Sequence, residues 1–260
     1  MALLTLTCSA FAEDATTAPT DDHSDFQALV YEDGQGGELP YRLIVPKSAD
    51  SAMPVLLFLH GAGERGDDNQ KQLIWGNDLL LNAAHEFGCI VVAPQCPAGE
   101  KWSIVDWSQD KITFSDEPSE PMRLTQALID DLATRYDVDT DRMYIMGLSM
   151  GGYGSWEAIC RWPGRFAAAA PICGGGDPEQ AGVIKDTPIW AFHGDADPVV
   201  SVDLSRVMIQ TIREAGGEPK YTEYPGVGHN SWTPAFAEPD LLPWITSNSL
   251  TPDDEDTQAE

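Results

Sequence analysis

The chain of 260 residues is 42% apolar and carries 42 acidic against 15 basic side chains, a net charge of −27. That length and composition suit one α/β domain with a large core, and no run of 18 apolar residues exists to cross a membrane as a helix. The acidity repels nucleic acid and anionic bilayers, so neither is an expected partner.

Residues 1–12 are apolar and end in Ala10-Phe11-Ala12, a small-residue pattern suited to signal peptidase. We therefore expect a leader cleaved before Glu13 and a periplasmic or secreted protein, although the stretch is short and lacks a basic start. Residues 13–25 read as a disordered acidic linker, 26–248 as a single catalytic domain and 249–260 as a disordered acidic tail. The segments 13–25 and 251–260 carry five carboxylates each and no Lys or Arg, which leaves about −17 on the body. Such a surplus suits a salty medium, where the Debye length falls to about 3 Å near 1 M.

Gln27 to Tyr31 and Leu39 to Val45 read as an opening strand pair around the turn Asp33-Gly34-Gln35-Gly36-Gly37. Pro54 to His60 is a continuous apolar run, as a central strand buried on both faces requires. Leu73 to Phe87 has helical periodicity, and Cys89 to Ala93 reads as the next strand. A long irregular segment, Pro94 to Pro121, precedes a helix over Met122 to Tyr136, with Leu124, Leu128, Leu132 and Tyr136 on one face. Met143 to Met146, Phe166 to Ile172, Pro188 to His193 and Lys220 to Tyr224 supply further strands. Helices over Tyr153 to Arg161, Ser201 to Ala215 and Leu241 to Ser247 alternate with them. This alternation predicts an α/β fold, a mostly parallel central sheet with helices on both faces.

Between a strand and a helix stands Gly147-Leu148-Ser149-Met150-Gly151. A serine on so tight a turn needs small flanking residues and presents its hydroxyl clear of the sheet, as a nucleophile elbow does. A base must reach that hydroxyl and a carboxylate must orient the base. In elbow-type hydrolases the chain order is serine, acid, histidine. His193 and His229 follow Ser149; His193 ends a strand that runs into the acids Asp195 and Asp197, so the base is His229. Between the acids, Asp195 suits a turn-capping role, whereas Pro198 holds Asp197 extended, which favours Asp197. For the oxyanion, the backbone N–H of Met150 and that of Ala62, in the loop His60-Gly61-Ala62-Gly63-Glu64-Arg65-Gly66, are the expected donors.

The segments Leu59 to Gly66, Ala93-Pro94-Gln95-Cys96-Pro97, Gly147 to Gly154 and His193 to Val200 together resemble the α/β-hydrolase superfamily over residues 27–247. The resemblance is strongest to bacterial carboxylesterases and predicted peptidases related to dienelactone hydrolases, feruloyl esterases and polyhydroxybutyrate depolymerases. It implies Ser149, Asp197 and His229 as the triad, Ala62 and Met150 as oxyanion donors, and Trp232 beside the histidine. It fixes the reaction, ester hydrolysis without a cofactor, better than the ester. The leading expectation is a carboxylesterase acting on short-chain or feruloyl-type esters, free or polymer-attached, and salt-tolerant because of its acidic surface. A prolyl-oligopeptidase-type peptidase and a silent binding protein on the same fold are the alternatives. The first lacks room for a gating domain and the second predicts a broken triad.

Cys173 to Thr187 is too short for a cap domain, so an open site is expected. Trp102, Trp107 and Phe114 in the long segment form either an aromatic substrate wall or anchors that pin the loop; Trp102, Trp107 and Trp232 are taken as pocket residues. Glu64, Asp67, Asp68 and Asn69 could chelate a cation, but no metal is expected. Cys89, Cys96, Cys160 and Cys173 are either buried thiols or one or two disulfides.

Overall fold

The computed structural model describes residues 25–47 and 51–251. The expected leader, nearly all of the acidic linker and most of the tail lie outside the described residues. Eight strands form one sheet: β1 (Gln27–Glu32), β2 (Glu38–Ile44), β3 (Met53–Leu59), β4 (Ile90–Pro94), β5 (Val138–Leu148), β6 (Ala168–Ile172), β7 (Trp190–Gly194) and β8 (Lys220–Tyr224). Their spatial order is β1-β2-β4-β3-β5-β6-β7-β8. Of these, β2 runs antiparallel to both neighbours, and from β4 to β8 every pairing is parallel.

The helices are α1 (Asn77–His85), α2 (Glu120–Arg135), α3 (Met150–Arg161), α4 (Val202–Glu214), α5 (Trp232–Phe236) and α6 (Leu241–Thr246). Alternating residues of β3 feed two cores. Val55, Leu57 and Leu59 pack with Leu128, Trp156 and Met208 of α2, α3 and α4. Leu56 and Phe58 pack with Leu80, Leu242 and Ile245 of α1 and α6 on the other face. Each such side chain, fully buried, contributes about 1.5–3 kcal/mol, which is why β3 is apolar throughout. Ser119 caps α2, its Oγ accepting from Met122 N at 3.2 Å, and Pro121 falls in the first turn, where a missing N–H costs nothing.

Three departures from the sequence pattern exceed small shifts of element ends. The helix expected over Leu73 to Phe87 breaks at Gly76, which takes a left-handed conformation (φ 85°), so α1 begins at Asn77. Strand β5 begins at Val138, five residues before the apolar run, in a polar stretch that includes Asp139 and Asp141. The short α5 was not anticipated, because Pro234 sits inside it.

The chain places β4 on one side of β3 and β5 on the other. The loops leaving β3 and β5 therefore diverge and open a crevice at their carboxyl ends, where open α/β sheets bind ligands. Among the described residues no separate cap covers that crevice.

Candidate active site

Ser149 stands between β5 and α3 with φ 53° and ψ −113°, a strained backbone for a residue with a side chain, costing roughly 1–3 kcal/mol. Two bonds over-determine it. Its N–H donates to the Ile172 carbonyl of β6 at 2.9 Å, and its own carbonyl accepts from Tyr153 N at 3.1 Å. The flanking glycines are required by space. A Cβ on Gly147 would lie 2.4 Å from the Gly151 carbonyl oxygen, and one on Gly151 would lie 1.9 Å from that of Leu59.

Ser149 Oγ is 2.9 Å from His229 Nε2, and His229 Nδ1 is 2.7 Å from Asp197 Oδ2. The other oxygen, Oδ1, accepts from Val199 N at 2.8 Å and Val200 N at 3.0 Å, so the carboxylate organises its own loop. His193 Nε2 lies 3.3 Å from Oδ2, and its Nδ1 meets Ser205 Oγ at 2.8 Å. Burial pushes the Asp197 carboxyl up, but His193, His229 and the two amides outweigh it and hold the group well below the usual range. Asp195 is exposed and engaged elsewhere, accepting from Gly226 N at 2.6 Å. The chain thus joins Asp197, and not Asp195, to His229.

After β3 the backbone enters a short 3-10 turn, Ala62–Glu64. His60 anchors its start. Its Nε2 accepts from Cys96 N at 2.9 Å, and burial lowers its pKa to about 4, so it is neutral with the proton on Nδ1, 2.6 Å from the Gly61 carbonyl. Among the described residues, neither the Ala62 nor the Met150 amide donates a backbone hydrogen bond. Both residues line the same cleft as Ser149 and His229, and Met150 opens α3, where first-turn amides lack intrahelical partners.

The cleft holds about 380 Å³ and is mainly apolar, walled by Trp75, Trp107, Tyr153, Val199, Val200 and Trp232. Trp232 stands edge-on to His229, with ring centroids 5.4 Å apart. Trp107 leans on Tyr153 at 6.5 Å and carries Lys101 Nζ 4.1 Å above its ring.

Trp102, expected in the pocket, is not there. It is completely buried, its Nε1 donates to the His60 carbonyl at 3.0 Å, and its own carbonyl accepts from Ser119 Oγ. It anchors the long segment beneath the cleft. Phe114 is likewise an anchor packed on the core. Trp75, Tyr153 and Val199 line the cleft without having been singled out from the sequence. Tyr153 was accessible to reasoning, since it lies one helical turn past the serine, and Trp75 beside the left-handed Gly76 was not.

Of the four residues weighed as cation ligands, Glu64, Asp68 and Asn69 are engaged elsewhere. Glu64 bonds the Trp75 indole, Asp68 bonds Lys71 and Gln95, and the Asn69 side-chain amide donates to the Leu29 and Tyr41 carbonyls. Cys173 Sγ, Asp197 and His229 offer ligand atoms within 4.8 Å of one another. Burial pushes that thiol up to about 12 and the other two are bonded to each other, so the set is satisfied by protons. All four described cysteines are buried and unpaired.

Residues 41–238 match the phospholipase/carboxylesterase family of α/β-hydrolases, and the chain belongs to that family. It is similar to acyl-protein thioesterase 1 of Neurospora crassa, 28% identical over 220 residues, covering 73% of this chain and 84% of the relative. It is also similar to the bifunctional acetylxylan esterase/xylanase XynS20E of Neocallimastix patriciarum, 26% identical over 187 residues. There 71% of this chain aligns with 25% of that protein. Among solved structures, a thermostable esterase is 40% identical with a TM-score of 0.78; the match covers 87% of this chain and 64% of that one. A ferulic acid esterase structure, 18% identical with a TM-score of 0.60 and covering 85% of this chain and 97% of its own, shares the fold. This chain is a hydrolase of esterase and thioesterase type.

Proposed function

We propose that this chain is a serine carboxylesterase that cleaves short-chain or aromatic carboxylic esters through an acyl-enzyme on Ser149. The carrying observation is the unbroken run of contacts from Ser149 Oγ through His229 to Asp197. His229 Nε2 takes the proton as Oγ attacks the ester carbonyl carbon. Asp197 keeps the His229 proton on Nδ1 and offsets the imidazolium charge that forms. The carbonyl oxygen becomes an oxyanion between the Ala62 and Met150 amides. Collapse breaks the ester C–O bond, and His229 returns its proton to the leaving alcohol. Water, deprotonated by His229 in turn, then attacks the acyl-enzyme and releases the acid and Ser149.

The tryptophan-walled, uncapped cleft supports acyl groups that are compact or planar, on alcohols that are free or attached to a polymer. The ferulic acid esterase among the fold neighbours supports the same direction, as does the acetylxylan esterase among the relatives. The leader-like residues 1–12 extend the proposal to export, which N-terminal sequencing of the mature protein from culture tests.

The decisive experiment is a panel of p-nitrophenyl esters, methyl ferulate and peptide amides on the parent and on Ser149→Ala, with intact mass of the trapped enzyme. A covalent acyl adduct in the parent, and loss of activity by several orders of magnitude in Ser149→Ala, are expected. A variant keeping more than about a tenth of parent activity would sink the covalent mechanism.

A further inference from the structure

Glu64 closes the 3-10 turn that carries the Ala62 amide, lines the cleft and is only 8% exposed. Its Oε1 accepts from Trp75 Nε1 at 3.2 Å. Its Oε2 is buried and makes no hydrogen bond. A Cβ built on Gly61 would fall 2.9 Å from that Oε2 and 3.7 Å from Ser149 Cβ. The carboxyl therefore packs on the backbone immediately before Ala62, on the side facing the nucleophile.

A Glu in the third position of a turn, reaching back to the residue before it, is the capping-box arrangement. Here the reach stops short. Burial pushes the carboxyl up; the Trp75 indole and the nearby Gly61 and Glu64 amides oppose it and do not prevail. A buried carboxyl with one oxygen unsatisfied destabilises a fold, and such exceptions call for a functional account. The neighbouring indoles supply one. Trp75 leans on Trp232 with centroids 5.7 Å apart, and Trp232 stands edge-on to His229. One carboxyl thus ties the oxyanion loop to the tryptophan wall beside the base.

We propose that Glu64 is a positioning residue for ester hydrolysis: held by Trp75 and packed on Gly61, it fixes the Ala62 amide where the oxyanion forms and steadies the Trp75–Trp232 pair against His229. This rests on the serine-esterase reading. The Ala62 amide meets full negative charge in the transition state and not in the bound ester, so loosening it lowers kcat and leaves KM nearly unchanged.

The test compares Glu64→Leu, Glu64→Gln and Ser149→Ala with the parent, using p-nitrophenyl butyrate and thermal melts of the full chain. Glu64→Leu should lose kcat by about 30-fold or more, since an intact oxyanion donor contributes about 10²–10³. Its KM should stay within about twofold, and its Tm should hold or rise by roughly 2–4 °C because an unsatisfied buried carboxyl has gone. Glu64→Gln keeps one acceptor oxygen and should recover kcat to within about fivefold of the parent. A Glu64→Leu variant at parental kcat overturns the proposal. So does a joint fall of kcat and Tm that Glu64→Gln fails to restore, the mark of a merely structural residue. An inactive Ser149→Ala beside an unaffected Glu64→Leu rejects the Glu64 role alone, whereas an active Ser149→Ala rejects the serine mechanism and the Glu64 role together.

Discussion

Replacing Asp197 by asparagine tests the proposed acid at its most constrained point. The carboxylate accepts on both oxygens: Oδ1 from the Val199 and Val200 amides, Oδ2 from His229. Asparagine offers one oxygen and one NH2. With its oxygen towards His229, the NH2 faces two amide donors and the loop must open. With its NH2 towards His229, the imidazole must move its proton to Nε2, and Nε2 can no longer accept from Ser149. Neither orientation preserves the site. The tautomer error alone costs about 10⁴-fold in kcat, or about 5.4 kcal/mol of transition-state stabilisation. Asp195→Asn keeps an acceptor oxygen for the exposed Gly226 amide and should cost less than about threefold. Initial rates on p-nitrophenyl butyrate near neutral pH, with circular-dichroism melts, measure both. Asp195→Asn costing more than Asp197→Asn, or Asp197→Asn within about tenfold of the parent, refutes the reasoning. The melts carry a second check. Because the folded pKa of Asp197 is depressed, its stabilisation is present above the ordinary Asp value of about 3.9 and is lost as pH falls through the depressed one. The stability gap between parent and Asp197→Asn should therefore narrow in acid.

Trp102→Ala should destabilise by about 3–5 kcal/mol, whereas Trp107→Ala, which removes an indole only partly buried against the core, should lower Tm distinctly less and shift the kcat/KM ratio of methyl ferulate to p-nitrophenyl butyrate. Equal melting losses in the two variants would contradict the division into anchor and wall. Burial pushes the Cys89, Cys96, Cys160 and Cys173 thiols up to about 12, so Ellman's reagent should leave them unmodified until the protein unfolds. Prompt reaction in the native state would contradict that burial. With about −17 on the body, Tm and ester hydrolysis should hold or rise up to about 1 M NaCl as carboxylate repulsion is screened. A steep fall in hydrolysis with no gain in Tm would remove salt adaptation and leave the esterase reading standing.

The sheet was legible because its central strands are buried on both faces and must therefore be continuous apolar runs, as Val55 to Leu59 and Ile90 to Ala93 are. Lys220 to Tyr224 was placed to the residue for a related reason, being bounded by Pro219 and Pro225. Ser149, Asp197 and His229 could be named because chain order and strand ends restrict where each can fall, and the structure brings the three together. What failed has a common cause. An indole is large and apolar whether it lines a cleft or fills a core, so Trp102 and Trp107 look alike in sequence. They part only through the carbonyl of His60, 42 residues away, that accepts from Trp102. Glu64 was weighed from the sequence only as one of four residues that could chelate a cation, with no metal expected. Its burial against Trp75 and Gly61 is a tertiary outcome that a carboxylate in a Gly-rich loop does not announce. The break at Gly76 and the polar start of β5 are likewise tertiary outcomes that override local preference.

The segment from Pro94 to Pro121 behaves as a span hung between two piers. At one end Trp102 is bolted under the sheet through His60 and Ser119. At the other, Arg161 of α3 grips the carbonyls of Ser115, Asp116 and Glu117. The stretch between them bears Trp107 and the exposed Ile104, and it dips inward twice, where Val105 and Ile112 pack with Tyr153, Val200 and Leu204. Loops held at both ends tolerate change in the middle better than loops that thread the interior. Lineages could therefore lengthen, shorten or rewrite the exposed run 108–111 between Val105 and Ile112 and exchange one ester for another, while the serine, its base and the fold beneath them stay as they are.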